Sequence, residues 1–445
     1  MFPRNAKRYF LLITSIFFYF WGEPLFIWIL FLQIFINYFL ALLFTKTIKT
    51  EILSKFILVF SVSVNLLLLI FLRDSKFLIS NLGIPIELPE LVNDFYFPVG
   101  ISFITFTSLS YLLDVSKGAI PAAKSILLYA NYILFFPKII QGPIQEFNKF
   151  NEDYQSPKIS VSNIYDGLGR FTIGLAKKVI IADSLHNVAQ SVFSADITKV
   201  DFSLSWYGLI AFGLQIYFDF SGYTDMALGV GRILGFSMPE NFNHPYASTS
   251  IADFWRRWHM TLTGWFRKYI FYPLEFRLKN LGNFRQPLNL MIVFLLTGLW
   301  HGISPNYLVW GAYFGFLLAL ESVGLGKLLK RIPLVFQHLY SLLFILAGWV
   351  FFRLRSPSQW PIFFRALSGL NGLTAETTGR SLNLLGYIPI LLIGIFLCIP
   401  IKNTEKFEER SFYAVFSIAG KIALLIISVA FIVERGYLAF FYQQF

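Results

Sequence analysis

The sequence predicts an all-α polytopic membrane protein with roughly ten to twelve membrane segments, including re-entrant and interfacial helices. Of its 445 residues, 56% are hydrophobic and 14% are charged, whereas a soluble domain carries about a quarter charged residues. Apolar runs near the length that spans a bilayer, about 20 residues, alternate with short basic groups. These observations predict one integral-membrane domain over residues 1–445 rather than several soluble domains.

The formal net charge of +12 does not indicate nucleic-acid binding. The basic residues stand in short groups between apolar runs, which is the positive-inside pattern, so anionic lipid headgroups are the expected counter-charge. The single cysteine, Cys398, excludes an intrachain disulfide and is expected to be a packed apolar thiol. The sequence contains no Walker A motif, GxSxG motif or clustered metal ligands, so no metal is expected.

The chain begins with basic residues ahead of an apolar segment, Tyr9–Trp21. This resembles a signal peptide, but no small-residue cleavage site follows, so we expect the segment to be retained. The next run, Pro24–Phe44, completes a hairpin with both ends cytoplasmic. A third span, Phe56–Leu72, leads to an acidic loop predicted on the outer face; its acidic residues are Glu87, Glu90 and Asp94.

The middle of the chain mixes spans with irregular segments. Pro137 interrupts the apolar run Ile126–Ile140, which predicts a bent or re-entrant element. Polar residues predict a cytoplasmic loop over Phe147–Asn163. Asp219 and Asp225 are expected to pair with arginines such as Arg232 or Arg256. The remaining predicted helices of this part are Pro98–Val115, Asp166–Ala189 and Leu204–Phe220.

Five further apolar helices and a short interfacial helix, Gln359–Leu367, are predicted in the second half. The apolar helices are Leu290–Trp300, Tyr307–Leu320, Ile332–Phe352, Leu384–Ile401 and Phe412–Val433.

The rest of the chain is organised around the central stretch 218–311. Within it, we predict a helix that Ser250 caps, with Asp253 three residues later as a variant capping box. Apolar residues recur at helical spacing on one face: Ile251, Phe254, Trp255, Trp258, Leu262, Trp265, Phe266 and Tyr269. Arg256, Arg257, Arg267 and Lys268 lie on the opposite face, a pattern typical of a helix in a membrane interface.

Two histidines of the central stretch stand beside tryptophans. His259 falls at the edge of the apolar face of the predicted helix. His301 ends a nearly all-apolar segment, and Gly298 and Gly302 beside it would let another helix approach. Ionisable groups at membrane depth tend to face a bundle interior or a cavity, and imidazole transfers protons near neutral pH.

The motifs WRRWHMTLTGWFRKYIFYPL, LLTGLWHG, QIYFDFSGYTDMALG and PENFNHPY resemble those of the membrane-bound O-acyltransferase family. The resemblance is to its bacterial branch of alginate O-acetyltransferases and teichoic acid D-alanyl transferases. It continues through FFPKIIQGPI and GLAKKVIIADSL, and covers a core of about residues 98–352. Members of the family usually carry one more apolar helix ahead of the segment resembling Tyr9–Trp21.

The resemblance implies that His301 is the essential histidine, where a cytoplasmic donor tunnel meets an outer acceptor funnel. His259 is the second catalytic candidate, with a positional role. Arg256, Arg257, Arg267 and Lys268 are weak candidates for contacts with donor phosphates, although lipid phosphates explain them equally well. His186, His244 and His338 have no supporting constellation.

The expected activity is transfer of an acyl group to a hydroxyl of an envelope polysaccharide or partner protein, and acetyl is the preferred acyl group. The donor would be a cytoplasmic thioester, acetyl-CoA or an acyl carrier, with no tightly bound cofactor. Further expected partners are membrane lipids and a secreted or periplasmic transferase, and the expected location is the bacterial cytoplasmic membrane. Two alternatives stay open: D-alanyl transfer to a teichoic-acid-type polymer, and a glycolipid transporter without covalent chemistry.

Overall fold

A computed structural model describes residues 4–47, 50–82, 98–373, 384–400, 411–436 and 438–440, and every regular element in these ranges is helical. Four helices there are long and apolar enough to cross a membrane: Phe26–Lys46, Glu51–Asp74, Pro305–Leu329 and Leu334–Arg353. Ile101–Ser116 and Ile388–Leu397 are shorter apolar helices. The predicted all-α membrane fold is confirmed, whereas the count of ten to twelve segments is not.

The chain divides into two compact units, and the first comprises residues 1–168 and 227–239, with residue 445. Its helices are α1 (Arg4–Gly22), α2 (Phe26–Thr47), α3 (Glu51–Leu82), α4 (Ile101–Ser116), α5 (Ile126–Leu134) and α6 (Phe147–Gln155). The predicted acidic outer loop with Glu87, Glu90 and Asp94 lies outside the described residues.

The prediction of a loop over Phe147–Asn163 was wrong in its first half, where α6 forms. Phe147, Phe150 and Tyr154 are buried and recur at helical spacing. The rings of Phe147 and Phe150 pack with that of Tyr132 in α5, at 5.2 and 5.3 Å. The hydrophobic effect thus outweighs the polar composition of the segment. The predicted bend is confirmed, because α5 ends at Leu134 and irregular chain follows through Pro137.

Amide side chains join α2 to α3 in the first unit. Asn37 Nδ2 and Gln33 Nε2 each donate to Asn65 Oδ1 at 3.0 Å. Asn65 Nδ2 donates in return to Asn37 Oδ1 at 2.8 Å. Such bonds hold apolar helices together where the hydrophobic effect does not act between them.

The second unit comprises residues 169–226 and 240–444. Two helices contribute to both units, α7 (Val161–Ala176) and α9 (Phe202–Ile233), and a π-helical segment, Lys177–Ala182, joins α7 to α8 (Asp183–Phe193). The following helices are α10 (Ile251–Arg257), α11 (Met260–Phe266), α12 (Tyr272–Arg277), α13 (Arg285–His301), α14 (Pro305–Leu320), α15 (Gly326–Leu329), α16 (Leu334–Arg353), α17 (Gln359–Leu367), α18 (Ile388–Leu397) and α19 (Ser411–Arg435). Further π-helical segments are Arg267–Phe271 and Glu321–Leu325.

The central helix is broken, contrary to the prediction of one continuous helix. Trp258 is extended and His259 is left-handed, so α10 ends at Arg257 and α11 begins at Met260. The cause is a neighbouring loop that takes the backbone hydrogen bonds. Asn243 N–H donates to the Arg257 carbonyl, and Met260 N–H donates to the Asn241 carbonyl, both at 2.9 Å.

The partners named for the two carboxylates were wrong, although Asp225 does pair with an arginine. Asp219 pairs with Lys178 at 2.8 Å, and Asp225 pairs with Arg170 and Lys177 at 2.9 and 2.6 Å. The two arginines expected as partners are bound elsewhere, Arg232 to Asp166 and Arg256 to Asp253. The actual partners of both carboxylates come from the segment around the α7–α8 junction, far away in the sequence.

Candidate active site

His259 occupies a strained backbone position inside the second unit. Its φ of 45° and ψ of 53° are left-handed, a conformation that side chains other than glycine rarely adopt and that concentrates at functional sites. In the described chain, His244 is the other non-glycine residue with positive φ. His259 was predicted at the edge of an apolar face; it is instead 2% exposed.

Asn241 is the polar partner that the structure gives to His259. Nδ1 of His259 lies 3.1 Å from Oδ1 of Asn241, which is itself fully buried. Burial lowers the pKa of His259 well below its usual range, and the charge that His301 can carry lowers it further. His259 is therefore a neutral imidazole near pH 7.

His301 ends α13, and aromatic rings surround it. Trp300 and Trp310 lie 4.7 and 5.1 Å from its ring, and Phe352 lies 5.1 Å away. The Trp300 ring also lies 6.2 Å from that of His259. The structure thus brings the two sequence-predicted histidines together around one tryptophan, with His259 buried and His301 half-buried.

Close packing of α13 against α14 fixes the place of His301. A Cβ on Gly298 would overlap the carbonyl oxygen of Tyr307, and the Gly311 Cα lies 3.4 Å from the same position. Gly298 therefore has the predicted role. Gly302 has a different role from the predicted one, because its φ of 154° ends α13.

The start of α10 is held by two oxygen-bearing side chains. Ser250 Oγ accepts a hydrogen bond from Asp253 N–H at 3.0 Å, which confirms the predicted cap. The buried carboxylate of Glu321 accepts from the N–H groups of Ile251 and Ala252 at 2.7 and 2.9 Å. Negative charge is favourable at a helix N-terminus. Sequence reasoning missed Glu321, which stands 70 residues after Ile251.

The four basic candidates lie on the outer side of this segment. Arg256 and Arg257 form ion pairs with Asp253 at 3.4 and 3.1 Å. Arg267 and Lys268 are exposed. The eight apolar residues of the opposite face are all buried in the protein, so this face is covered by other helices. The sequence pattern identified both faces correctly.

A polar cavity of about 210 Å³ lies in the second unit, and the sequence did not predict it. Arg170 bridges Asp225 and Glu240 at its wall. Ser221 and Thr224 also line it, and each has a buried hydroxyl oxygen without a hydrogen-bond partner among the described residues. The detectable signal was Arg170 and Lys177 inside a moderately apolar helix.

Aromatic rings connect this cavity with the histidines. Phe242 lines the cavity, and its ring lies 5.0 Å from Phe220. Phe220 in turn packs edge-on against His259 at 4.7 Å. His244, which had no supporting constellation in the sequence, also lines the cavity.

The other two histidines make hydrogen bonds elsewhere. Nδ1 of His186 lies 3.0 Å from Gln215 Nε2, and Nδ1 of His338 lies 3.0 Å from the Ser248 carbonyl oxygen. Within the described ranges, His, Cys, Asp and Glu form no group that could hold a metal ion.

Comparison with known proteins shows the family of this chain. The sequence model of the membrane-bound O-acyltransferase family, MBOAT, matches residues 13–354. The probable alginate O-acetylase AlgI of Azotobacter vinelandii is 33% identical over 91% of this chain and 83% of its own length. The peptidoglycan O-acetyltransferase of Helicobacter pylori is 32% identical over 82% of this chain and 74% of its own. The teichoic acid D-alanyltransferase of Bacillus subtilis is 33% identical over 49% of this chain and 58% of its own.

The fold and the site define a class of protein, namely a multi-pass membrane protein with two histidines in an aromatic site. The chain belongs to the membrane-bound O-acyltransferase family, and it is an O-acyltransferase.

Proposed function

We propose that this protein transfers an acetyl group from a cytoplasmic thioester donor to a hydroxyl of a cell-envelope polysaccharide, directly or through a secreted or periplasmic partner protein. The observation that carries the proposal is the pair His259 and His301 around Trp300. Its support is the similarity to relatives named as O-acetylases of alginate and peptidoglycan. The membrane would be the bacterial cytoplasmic membrane, where a thioester donor and an envelope acceptor can reach one protein from opposite sides.

His301 is the proposed general base. Its imidazole takes the proton of the acceptor hydroxyl while that oxygen attacks the thioester carbonyl carbon. The carbon–sulfur bond of the resulting tetrahedral intermediate then breaks, and the imidazolium returns the proton to the departing thiolate. The products are an ester and a free thiol, with His301 regenerated. Surrounding aromatic rings exclude water, which limits hydrolysis of the thioester.

The polar cavity is the proposed entry for the donor. Donor chains such as pantetheine carry amide groups, which Ser221 and Thr224 can bind by giving and accepting hydrogen bonds. The rings of Phe242 and Phe220 connect this wall with His259. This assignment shifts the expected donor contacts from Arg256, Arg257, Arg267 and Lys268 to the neighbourhood of Arg170 and Lys177.

The test is replacement of His301 by glutamine in a strain that lacks the native gene. Glutamine can hold a hydrogen bond but cannot take a proton, so base-labile acyl ester on envelope glycan should fall by about 10²-fold or more. His338→Gln is the matched control, because an amide can still donate to the Ser248 carbonyl; it should retain wild-type acylation. Membrane levels of each variant are matched by immunoblot.

Mass analysis of the acid released by mild base identifies the acyl group. Acetate supports the proposal, and D-alanine would replace it with the activity named for the Bacillus subtilis relative. Wild-type acylation by His301→Gln would remove the general-base role of His301.

A further inference from the structure

The hydrogen bonds of Asn241 allow only one orientation of its amide. The backbone N–H of Thr261 lies 3.1 Å from the amide atom that faces it, and a backbone N–H can only donate. That amide atom must therefore be the oxygen, Oδ1. The Thr261 hydroxyl donates to the same oxygen at 2.9 Å. This settles an assignment that otherwise depends on choosing between oxygen and nitrogen.

The same oxygen determines the tautomer of His259. Its Nδ1 lies 3.1 Å from Asn241 Oδ1, and an amide oxygen can only accept. Nδ1 therefore carries the proton, and in a neutral imidazole the lone pair is then on Nε2. The left-handed backbone at His259 and the paired backbone at Met260 and Asn241 hold the ring in this place.

We propose that Asn241 is a positioning residue for acyl transfer: it fixes His259 as the neutral Nδ1–H tautomer, so that Nε2 is a hydrogen-bond acceptor in the site shared with His301. This role rests on the proposed function. It gives His259 the kind of orienting partner that a catalytic imidazole requires. In this role Nε2 accepts a hydrogen bond from a donor group of the substrate.

A structural role does not account for every bond of the amide: two bonds to Thr261 hold the start of α11, and the third joins the oxygen to Nδ1 of His259. Asn241 is fully buried, and its Nδ2 has no hydrogen-bond acceptor among the described residues. A buried donor without an acceptor destabilises a fold, so packing alone would favour a residue without that group. The amide oxygen is the part that the site uses.

The lack of charge on Asn241 also matters for the protonation of His259. Helix α9 presents the ring of Phe220 to His259, α13 presents Trp300 with His301 beside it, and the 240–247 loop presents Asn241. The titratable group that acts on His259 is His301. A carboxylate in place of Asn241 would favour the imidazolium form of His259, whose Nε2 would then donate rather than accept.

Three full-length variants in lipid nanodiscs test the role. Asn241→Leu removes the acceptor, Asn241→Asp keeps it and adds charge, and Thr261→Val removes one hydrogen bond to the same oxygen while leaving His259 bonded. Nitrogen-15 NMR of labelled histidine reports the tautomer, with His259→Gln identifying the resonance. We expect the Nδ1–H tautomer in wild type and Thr261→Val, a tautomer mixture in Asn241→Leu, and the imidazolium in Asn241→Asp.

Acyl transfer is measured in membrane vesicles as radiolabel moved from acetyl-CoA into base-labile ester, across the range in which imidazole titrates. Asn241→Leu should lose tenfold or more. In Asn241→Asp the acidic limb should move to higher pH, because His259 then becomes protonated at higher pH. Thr261→Val should keep the wild-type pH profile. If Asn241 had only a structural role, the pH dependence of transfer would be the same in all three variants.

The proposal is overturned if Asn241→Leu keeps the Nδ1–H tautomer and wild-type transfer. It is also overturned if Thr261→Val loses as much transfer as Asn241→Leu, because packing of the loop would then be responsible. Wild-type membranes without base-labile acyl ester would instead contradict the proposed function, and the tautomer measurement would still decide whether Asn241 positions His259.

Discussion

Lys138 is a buried cation in the first unit. Its side chain is 4% exposed, and its Nζ has no hydrogen-bond acceptor among the described residues. The Nζ lies 4.0 Å from the centre of the Tyr132 ring and 5.4 Å from that of Phe150. Burial lowers the pKa of the Lys138 ammonium well below its usual range. A cation–π contact returns only about 2 kcal/mol when desolvated, less than burial of an unpaired charge costs.

Lys138→Met should therefore stabilise the protein. Methionine keeps most of the side-chain volume without a charge to desolvate, so the free energy of unfolding should rise by on the order of 1 kcal/mol or more. The sign of the pH dependence follows from proton binding. The unfolded lysine binds a proton that the folded lysine releases, so wild-type stability increases with pH above the lowered pKa and up to about 10.4. Lys138→Met should remove that increase.

Thermal unfolding of the detergent-solubilised protein at several pH values measures this effect. Lys124→Met is the control, since Lys124 is exposed and its replacement should leave the pH dependence intact. A lower unfolding temperature for Lys138→Met at every pH would show that Lys138 has a stabilising partner.

At the scale of elements, the sequence correctly predicted features that depend on residues close together in the chain. Ser250 caps α10, the eight apolar residues of the central face are buried, and α17 spans Gln359–Leu367 as expected. Each of these features depends on residues within a few positions of one another. The existence of both candidate histidines in one site also followed from the sequence through the resemblance.

What the sequence could not show depends on partners that are distant along the chain. The break at His259 requires the Asn241 and Asn243 backbone, about 18 residues earlier, and periodicity does not report such a partner. Asp225 binds Arg170 across 55 residues. Glu321 caps α10 from 69 to 70 residues away. Hydrogen bonds and ion pairs of this range become visible only once the chain has folded.

Gly298→Ala tests the close packing of α13 against α14. An added methyl group meets the Tyr307 carbonyl oxygen on the backbone of α14, and backbone atoms cannot rotate away. The helices must move apart, which should destabilise the protein by about 1–3 kcal/mol. Because His301 lies three residues after Gly298, acylation should fall as well. Thermal unfolding and the base-labile ester assay measure the two effects.

Gly264→Ala is the matched control in helix α11. An added Cβ there meets nothing within 4 Å, and alanine is favoured over glycine in a helix by about 0.5–1 kcal/mol. This variant should be at least as stable as wild type and fully active. Equal stability of Gly298→Ala and wild type would mean that α13 and α14 adjust without cost.

At the scale of the whole molecule, exposed apolar side chains agree with a multi-pass membrane protein. Trp28 in α2 is 69% exposed and Phe56 in α3 is 67% exposed. Surfaces of this kind are stable in lipid and not in water. The aromatic face of the central stretch differs, because other helices of the protein cover it. Binding of this segment to a membrane surface would therefore depend on the cations of its outer side.

Those cations predict which side of the membrane the central stretch faces. Basic residues are retained on the cytoplasmic side, and Arg256 and Lys268 are both exposed. Replacing the single native cysteine, Cys398, by alanine provides a background without thiols. Cysteine at position 256 or 268 should then react with a membrane-impermeant maleimide in inside-out vesicles and remain unlabelled in intact cells.

Glu90→Cys is the opposite control for sidedness, since the acidic loop that contains Glu90 is predicted on the outer face. It should be labelled in intact cells and protected in sealed inside-out vesicles. Labelling of position 256 or 268 from outside would reverse the assignment.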